Sequence, residues 1–431
     1  MEASERPAPS GRTVALLAFV AASPALVAAV AAAFTPWRPV GDQALEVLRI
    51  AEVGGRHTPL VGAWSRWGWA HPGPWLFWLL APFHAVGGAR GVLVGTALVA
   101  AASAAGAVVV AARRYGPTTV ALVAAAAAAL FAATGLDGTV DPWNPYVAML
   151  PFLLVLVAAA AAFDGDLPAA VVAVLAGSWC VQAHAMYLLP VAAVLVVAAV
   201  GTGRGWRTCP PTTRRRAAVA GAVGTALLWI PPTLDQAVGT GNLGRIARYA
   251  LGGGVTGDDV VGAGRAMGAA NAQLSPVGPW VGGSDAGPLG LAASSNWPWF
   301  PLVVAALGAV VVVRRRSGRP LGCSVVALVG VVASFVATAR ISGLLGPYLV
   351  RFWWPVAALC AVALLEELLE ALPGATRRRA PSVLVGLTGA VALLAVVAGL
   401  PLRPPVEEVG TAIDPLVAPT VAALDRRRPV M

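Results

Sequence analysis

Charged residues and cysteines are scarce in this sequence of 431 residues. Only 12% of its residues are charged against 58% that are hydrophobic, which excludes a water-soluble globule with a polar surface. Lysine is absent, so all 30 basic residues are arginines. The four cysteines, Cys180, Cys209, Cys323 and Cys360, have no metal-ligand spacing and lie mostly in apolar segments. We therefore expect neither a disulfide nor a zinc site.

Long apolar runs are what the sequence has in abundance. A helix of roughly 20 residues crosses a hydrocarbon core of about 30 Å while satisfying its own backbone hydrogen bonds, so these runs predict an all-α, polytopic membrane protein. The candidates lie at 13–35, 73–88, 90–112, 118–135, 146–163, 168–184, 186–201, 217–233, 298–313, 321–340, 346–366 and 381–400.

The arginines fall in short clusters between these runs, a pattern typical of cytoplasmic loops rather than of nucleic-acid binding, despite a net charge of +10. The clusters are Arg113–Arg114, Arg204–Arg216, Arg314–Arg319 and Arg377–Arg379. Twelve crossings cannot place all of them on one side. The conflict disappears if 73–88, short and rich in tryptophan, is an interfacial helix along the membrane.

About 11 transmembrane helices in a single membrane domain then remain. The first span is read as an uncleaved signal anchor, because it exceeds the usual h-region of about 7–15 residues. We expect a bacterial plasma-membrane protein with a cytoplasmic N-terminus and an external C-terminus. Its parts are the first span (13–35), an external loop with interfacial helices (36–89), spans two to seven (90–233), a second external loop (234–297), spans eight to eleven (298–400) and an external tail (401–431).

The densest polar stretch, residues 41–74, directly follows the first span. Helical spacing puts Asp42, Glu46 and Arg49 on one face, with Glu52 about a turn further on, so an acid–base site can form just above the lipid headgroups. Two simpler interpretations stay open. The stretch can be a solvated juxtamembrane helix with ordinary charge pairs, and Asp42 can serve only to cap it.

Three further candidates lie where this stretch returns to the membrane. His57, Arg66 and His71 can each bind phosphate or sugar hydroxyls, or can be plain loop residues. The tryptophans beside them can stack on a sugar ring, although tryptophan belts at membrane interfaces are common.

A second external cluster, GLDGTVDPWNPY, contains Asp141 and Asn144. Asp141 is a candidate ligand of a divalent cation or of an acceptor, while Asp-Pro and Asn-Pro are also ordinary turn formers. Gln182 and His184 follow at the external end of span five, where polar groups need a partner, either substrate or Asp141.

Two later segments complete the candidates. Tyr348 and Arg351 flank a short external turn. A guanidinium at headgroup depth there can bind a phosphate through two hydrogen bonds, or can simply anchor the helix. The glycine-rich 234–297 region is either a lid or a connector, and Asn242 within it is a candidate helix cap.

The whole pattern resembles the GT-C superfamily, membrane glycosyltransferases that take sugars from polyprenyl-phosphate carriers. GDQALEVLR supplies an acidic residue after span one (Asp42), PGPWLFWLLAPF an interfacial helix, and DGTVDPWNP a second acidic motif (Asp141). AGSWCVQAHAMYLLP looks like the family's span that ends in polar residues near the donor phosphate, here Gln182 and His184, and YLVRFWWP like its late segment with Arg351. The similarity covers roughly residues 13–200 and 340–366.

The resemblance implies transfer of a sugar from a polyprenyl-phosphate donor to a glycan, lipid or protein acceptor, with inversion at the anomeric carbon. Asp42 would take the acceptor proton, and Arg351, with Arg49 or His184, would stabilise the departing phosphate. Asn144 stands where a further carboxylate is expected, so no cofactor is assigned and a divalent cation stays open.

Two other functions compete with this one. A transporter or lipid flippase would need ionisable groups or broken helices near the bilayer midplane, whereas the predicted spans hold mainly Ala, Val, Leu and Gly. A non-catalytic envelope scaffold would tolerate loss of Asp42.

Overall fold

The computed structural model describes residues 10–253, 260–282 and 291–423, and this part of the chain is helical apart from loops and two isolated bridges, Trp64–Ala70 and Val260–Ser342. Short 3₁₀ or π turns lie at Ala185–Tyr187, Tyr249–Gly253 and Pro347–Val350. In chain order the α-helices are α1 (Gly11–Phe34), α2 (Gly41–Ala51), α3 (Trp75–Arg114), α4 (Pro117–Val140), α5 (Asn144–Val147), α6 (Met149–Phe163), α7 (Leu167–Ala183), α8 (Leu188–Thr208), α9 (Pro211–Val238), α10 (Asn242–Arg248), α11 (Gly262–Gln273), α12 (Pro279–Gly282), α13 (Trp299–Arg316), α14 (Gly322–Ala339), α15 (Trp353–Glu370), α16 (Gly374–Ala398) and α17 (Glu407–Ala423).

Nine helical stretches of the described chain are long and apolar enough to cross a membrane. The remaining two predicted spans, 168–184 and 298–313, coincide with α7, an apolar helix of 17 residues, and α13, which has 18. The chain is therefore a multi-pass membrane protein, and the expected all-α architecture is confirmed.

The innermost helix of the bundle is α6. Its alanines Ala158–Ala162 are fully buried, and such small side chains let neighbouring helices approach closely in a membrane. The helix packs against α3, α7, α8, α14 and α15. Because α5 and α6 together run from residue 144 to residue 163, they carry the chain about 30 Å from one end of the bundle to the other.

Helix α3 reverses direction at Gly88, whose φ of +57° is easily reached only by glycine. A Cβ placed on Gly95 would lie 2.7 Å from the Phe83 ring and 2.9 Å from Leu80. In a straight helix, residues 83 and 95 would stand about 18 Å apart, so the two halves of α3 fold back on each other. Residues 75–87 do not prolong the following span, and their place in the membrane interface stays a prediction.

The four arginine clusters gather at one end of the bundle. Arg113 Nε bonds Asp166 Oδ2 at 3.0 Å in the α6–α7 turn, and Gly205, inside the second cluster, packs against the same turn. Arg314 forms an ion pair with Glu366, with Nη2 and Oε2 2.9 Å apart, near the end of α15, and the fourth cluster follows in the first turn of α16. Which compartment this end faces, and hence the orientation of both termini, stays a prediction.

The second predicted loop, 234–297, contains α10, α11 and α12, although residues 254–259 and 283–290 lie outside the described part. The expectation that Asn242 caps α10 is wrong, because Gly241 in the left-handed conformation is the N-cap. The Asn242 amide instead binds the backbone of Ala70, donating to its O and accepting from its N at 2.8 Å each. This region is thereby joined to the first polar loop.

Candidate active site

Helix α2 presents its carboxylates at the end of the bundle opposite the arginine clusters. Gly41, with φ +57°, turns the chain into the helix, and Asp42 sits exposed in the first turn, where the helix dipole favours an acidic residue. Gln43, Glu46 and Ile50 recur at helical spacing on the face that is buried. One carboxylate is therefore open to solvent while the other, Glu46, is only 3% exposed.

Three hydrogen bonds fasten α2 to the loop that precedes α5. Together they bring into one cluster the two acidic segments that the sequence analysis expects on the external side. The bonds run from Trp143 Nε1 to Asp42 Oδ2 (3.1 Å), from Gln43 Nε2 to Asp141 Oδ1 (3.4 Å) and from the Asn144 backbone N to Glu46 Oε1 (3.0 Å).

Burial makes the two inner carboxyls weak acids. Desolvation raises the pKa of Glu46 well above its ordinary value, and the neighbouring Asp141 and Asp42 add to the rise while the Asn144 N–H opposes it. Desolvation also raises the pKa of Asp141 from 3.8 to about 6, although a backbone N–H and the Gln43 amide lower it. The cluster therefore combines an exposed carboxylate with two groups that hold protons readily.

Arg351 lies against the same loop. Its Cζ is 3.9 Å from the ring centroid of Trp354 and 4.7 Å from that of Tyr146, and Nη2 donates to the Tyr146 hydroxyl at 3.3 Å. Tyr348, from the turn just before, packs on Trp143 with ring centroids 5.0 Å apart. The guanidinium is thus held beside the carboxylate cluster by aromatic faces.

A cavity of about 870 Å³ adjoins the cluster, with Arg351 and Trp354 in its wall. Gln273, Trp297 and Trp299 also line it, and Gln273 Oε1 accepts a 2.9 Å bond from Trp354 Nε1. Arg351 both contacts Tyr146 and lines the cavity, so it links this space to the residues around the 141–144 loop. The cavity is large enough for a small-molecule ligand.

His71 and His184 stack on each other with ring centroids 4.4 Å apart. His71 Nδ1 accepts from the backbone N of Ala185 at 3.0 Å, and His184 Nδ1 accepts from that of Met186 at 3.4 Å. Burial lowers the pKa of His71 from 6.5 to about 3; burial, followed by the neighbouring His71, lowers the pKa of His184 well below its usual range. The accepting Nδ1 atoms and the lowered pKa values both favour the neutral form of the two rings.

Gln182 binds the neighbouring helix α9. Its Nε2 donates at 2.8 Å to the carbonyl of Leu228, which has no intrahelical donor because residue 232 is a proline. Its Oε1 lies buried beside Gly73, where a Cβ would approach it to 1.9 Å. The partner of Gln182 is therefore a carbonyl of α9, and the suggestion that Asp141 partners Gln182 and His184 is wrong.

Four predicted residues lie apart from the cluster. Arg49 and Glu52 form an ion pair with each other, each about two-fifths exposed, rather than converging on the carboxylates. His57 is exposed in the turn after α2. Arg66 donates to the Ser342 carbonyl at 3.4 Å and so helps to fasten the first loop to the segment before Pro347–Val350.

Three residues of the site were missed by the sequence analysis: Gln43, Tyr146 and Trp354. Gln43 lies on the buried face of α2, so helical periodicity with Glu46 and Ile50 could have indicated it. The other two lie inside the quoted segments GLDGTVDPWNPY and YLVRFWWP, but as uncharged aromatics they do not differ there from residues of a membrane-interface belt.

The described residues contain no group of three or more His, Cys, Asp or Glu side chains placed to hold a metal ion. Glu46 and Asp141 each use one oxygen on the polypeptide itself. A divalent cation stays a prediction from the sequence.

The likeness of this chain to known proteins is found at the level of structure. No protein-family model matches the chain, and no curated protein is similar to it in sequence. Among solved structures it is similar to ArnT from Cupriavidus metallidurans, determined bound to undecaprenyl phosphate, with a TM-score of 0.54 and 15% identity over 98% of this chain and 82% of that one. The GT-C-like fold expected from the sequence is thereby confirmed.

Proposed function

We propose that this protein is a membrane glycosyltransferase that moves a sugar from a polyprenyl-phosphate carrier to a hydroxyl of a glycan, lipid or protein acceptor of the cell envelope. The observation that carries the proposal is the joining of α2 to the 141–144 loop beside Arg351, at one end of the bundle. A base and a cation placed there can meet both a lipid-borne donor and a water-borne acceptor. The fold shared with a protein that binds undecaprenyl phosphate supports the same donor class.

Asp42 is the proposed general base. Trp143 donates to its Oδ2, so the carboxylate is oriented while its Oδ1 has no partner among the described residues. An exposed carboxylate at this position can accept the proton of the acceptor hydroxyl. Glu46 and Asp141 suit this role less, because they are only 3% and 8% exposed and so are less open to an acceptor than Asp42.

Arg351 is the proposed electrostatic partner of the leaving group. As the acceptor oxygen forms its bond to the anomeric carbon, the bond from that carbon to the phosphate oxygen breaks and its electron pair stays on the phosphate. A fixed guanidinium stabilises this charge without reorganisation, most strongly where water is scarce. The acceptor proton ends on Asp42, and a single displacement inverts the anomeric carbon.

A transporter or flippase fits the polar groups less well. Asp42, Asp141, His184 and Arg351 lie at helix ends on one side of the bundle, not near its middle, where transport sites are usually built. The cluster also carries the mixed proton affinities that acid–base chemistry uses.

The test compares membranes that contain the wild-type protein or Asp42→Asn, each given radiolabelled polyprenyl-phosphate sugars. We expect label to enter envelope acceptors in the wild type and to drop at least 100-fold, or about 3 kcal/mol, in the variant. Asp137→Asn is the matched control, because Asp137 lies at the same end of the bundle and accepts a backbone N–H that asparagine Oδ1 can also accept. Equal transfer by wild type and Asp42→Asn would remove Asp42 from the mechanism, and uptake of intact label by vesicles would favour a transporter.

A further inference from the structure

The C-terminal tail is fastened to the bundle at the level where α1, α4 and α16 end. Trp37, just past the end of α1, donates from Nε1 to the Pro405 carbonyl at 2.9 Å. Asp137 Oδ1, near the end of α4, accepts from the Arg403 backbone N at 2.9 Å. Helix α17 follows these two anchor points directly. It therefore starts at a membrane surface, at the end of the bundle that carries the candidate active site.

Helix α17 carries an aliphatic strip along one side. Val409, Ile413 and Leu416 stand at positions i, i+4 and i+7, which share one side of a helix. They are 49%, 37% and 63% exposed, so the described part of the chain leaves them largely uncovered. Gly410 makes the contact with the bundle instead: it is buried, and a Cβ placed on it would lie 2.8 Å from the Arg38 carbonyl oxygen. The strip is therefore beside the docked side of the helix and not part of it.

The polar groups of α17 lie on the other side. Glu407, Glu408 and Thr411 are exposed and stand roughly 110–170° around the helix axis from the strip. Pro415 and Pro419 have no N–H, so the carbonyls of Thr411 and Pro415 lose their usual helical donors. Both of these residues also lie away from the strip, where water can bind the freed carbonyls. A helix that is apolar on one side and hydrated on the other suits a membrane–water interface.

The tail joins α17 to surfaces that already face lipid. Near the ends of α1 and α16, Phe34, Leu394 and Val397 are 80%, 63% and 64% exposed, and such side chains on a membrane span contact lipid. Leu400, between α16 and the anchor points of the tail, is exposed as well. If α17 lies flat, the same lipid surface covers its strip. An upright α17 would leave three large aliphatic side chains in water, which is unfavourable.

We propose that α17 is an interfacial helix that lies along the membrane surface, with Val409, Ile413 and Leu416 inserted at the boundary between headgroups and acyl chains. Its partner is the phospholipid bilayer itself. The helix sequence EEVGTAIDPLVAPTVAA contains no basic residue, so apolar contact and the anchored tail hold it there, not attraction to anionic headgroups. Through the bond from Trp37, α17 also ties the segment that leads into α2 to this depth. The inference does not depend on sugar transfer.

Fluorophores on single cysteines measure the depth of the strip. The full chain with Cys209→Ser keeps only buried cysteines, which react poorly, so Val409→Cys, Ile413→Cys and Leu416→Cys can each be labelled in turn. The labelled proteins are reconstituted in phosphatidylcholine liposomes and exposed to a brominated lipid or to aqueous iodide. We expect the brominated lipid to quench all three labels and iodide to spare them, at a depth of about 5–10 Å below the headgroup surface.

Glu408→Cys and Thr411→Cys are the matched controls on the same helix. Their labels should be quenched by iodide and spared by the brominated lipid. Because all five positions are exposed, the labels do not disturb the packed bundle.

Three results would overturn the proposal. Equal iodide quenching at all five positions would make α17 a solvated helix that stands off the membrane. Protection of the strip from both quenchers would mean that protein, such as a second copy of this chain, covers it instead of lipid. Labels that lie deeper as phosphatidylglycerol is added to the liposomes would refute attachment by apolar contact, whereas an unchanged depth supports it.

Discussion

Replacing Asp141 by asparagine should stabilise the protein at neutral pH. Asparagine Oδ1 can accept the bonds that Asp141 Oδ1 accepts from the Trp143 backbone N (2.9 Å) and from Gln43 (3.4 Å), so the local geometry survives. What disappears is the buried charge. Because burial raises the pKa of Asp141 from 3.8 to about 6, the ionised form is disfavoured in the folded state by about 3 kcal/mol.

The effect has a defined pH window. Below pH 4 the carboxyl is protonated in both the folded and the unfolded state, and the substitution changes little. Between pH 4 and pH 6 the unfolded state releases the proton while the folded state keeps it, so wild-type stability falls relative to the variant. Above pH 6 the carboxyl is ionised in both the folded and the unfolded state, and the difference in stability between wild type and variant stays constant.

Thermal unfolding in detergent, followed by tryptophan fluorescence from pH 4 to pH 8, measures this difference. At roughly 2 cal/mol/K of unfolding entropy per residue, 3 kcal/mol corresponds to about 3 °C for a chain of this size. The melting temperature of Asp141→Asn should be about 3 °C above that of wild type at pH 8 and equal to it at pH 4. The control Glu408→Gln, at an exposed position, should leave the melting temperature unchanged at both pH values. A variant that is less stable than wild type at pH 8 would refute the description of Asp141 as a buried, desolvated carboxyl.

Three further substitutions test separate parts of the structure. Gln182→Leu leaves the Leu228 carbonyl without its donor and should lower the free energy of unfolding by about 1–3 kcal/mol, seen as a lower melting temperature; unchanged melting would contradict that role. Asn242→Ala removes both bonds to Ala70 and should speed hydrogen exchange at that amide, whereas unchanged protection would mean that the first loop is held elsewhere. Arg351→Lys keeps the charge but loses the planar stack and should lower kcat/KM at least 10-fold; wild-type kcat/KM would show that the planar group is dispensable.

The fold was largely predictable because the lipid environment imposes strong rules. Apolar runs of about 20 residues must be helices, and this constraint located the spans without any long-range information. The arginine clusters predicted which helix ends lie together at one end of the bundle. For residues 73–88 the sequence predicted only a short helix that does not cross the membrane. The reversal of the chain at Gly88 was not predicted, since length and tryptophan content carry no information on the direction of a helix.

The candidate site was predictable where function and local pattern coincide. Asp42 and Asp141 stand out because acidic residues are rare and both follow predicted spans. Gln182 shows the limit: a buried amide in an apolar run suits a substrate or a neighbouring helix equally, and its partner lies 46 residues away on α9. The stacking of His71 on His184 likewise depends on a contact between distant segments, so the separate residues were noticed but their pairing was not.

The most direct test of the central claim uses purified protein in liposomes that contain a polyprenyl-phosphate sugar and a soluble hydroxyl acceptor. The account predicts one molecule of free polyprenyl phosphate for each sugar transferred, inversion at the anomeric carbon, and loss of both products in Asp42→Asn. Passage of the intact sugar lipid or of another solute across the bilayer, with the sugar–phosphate bond unbroken, would contradict it.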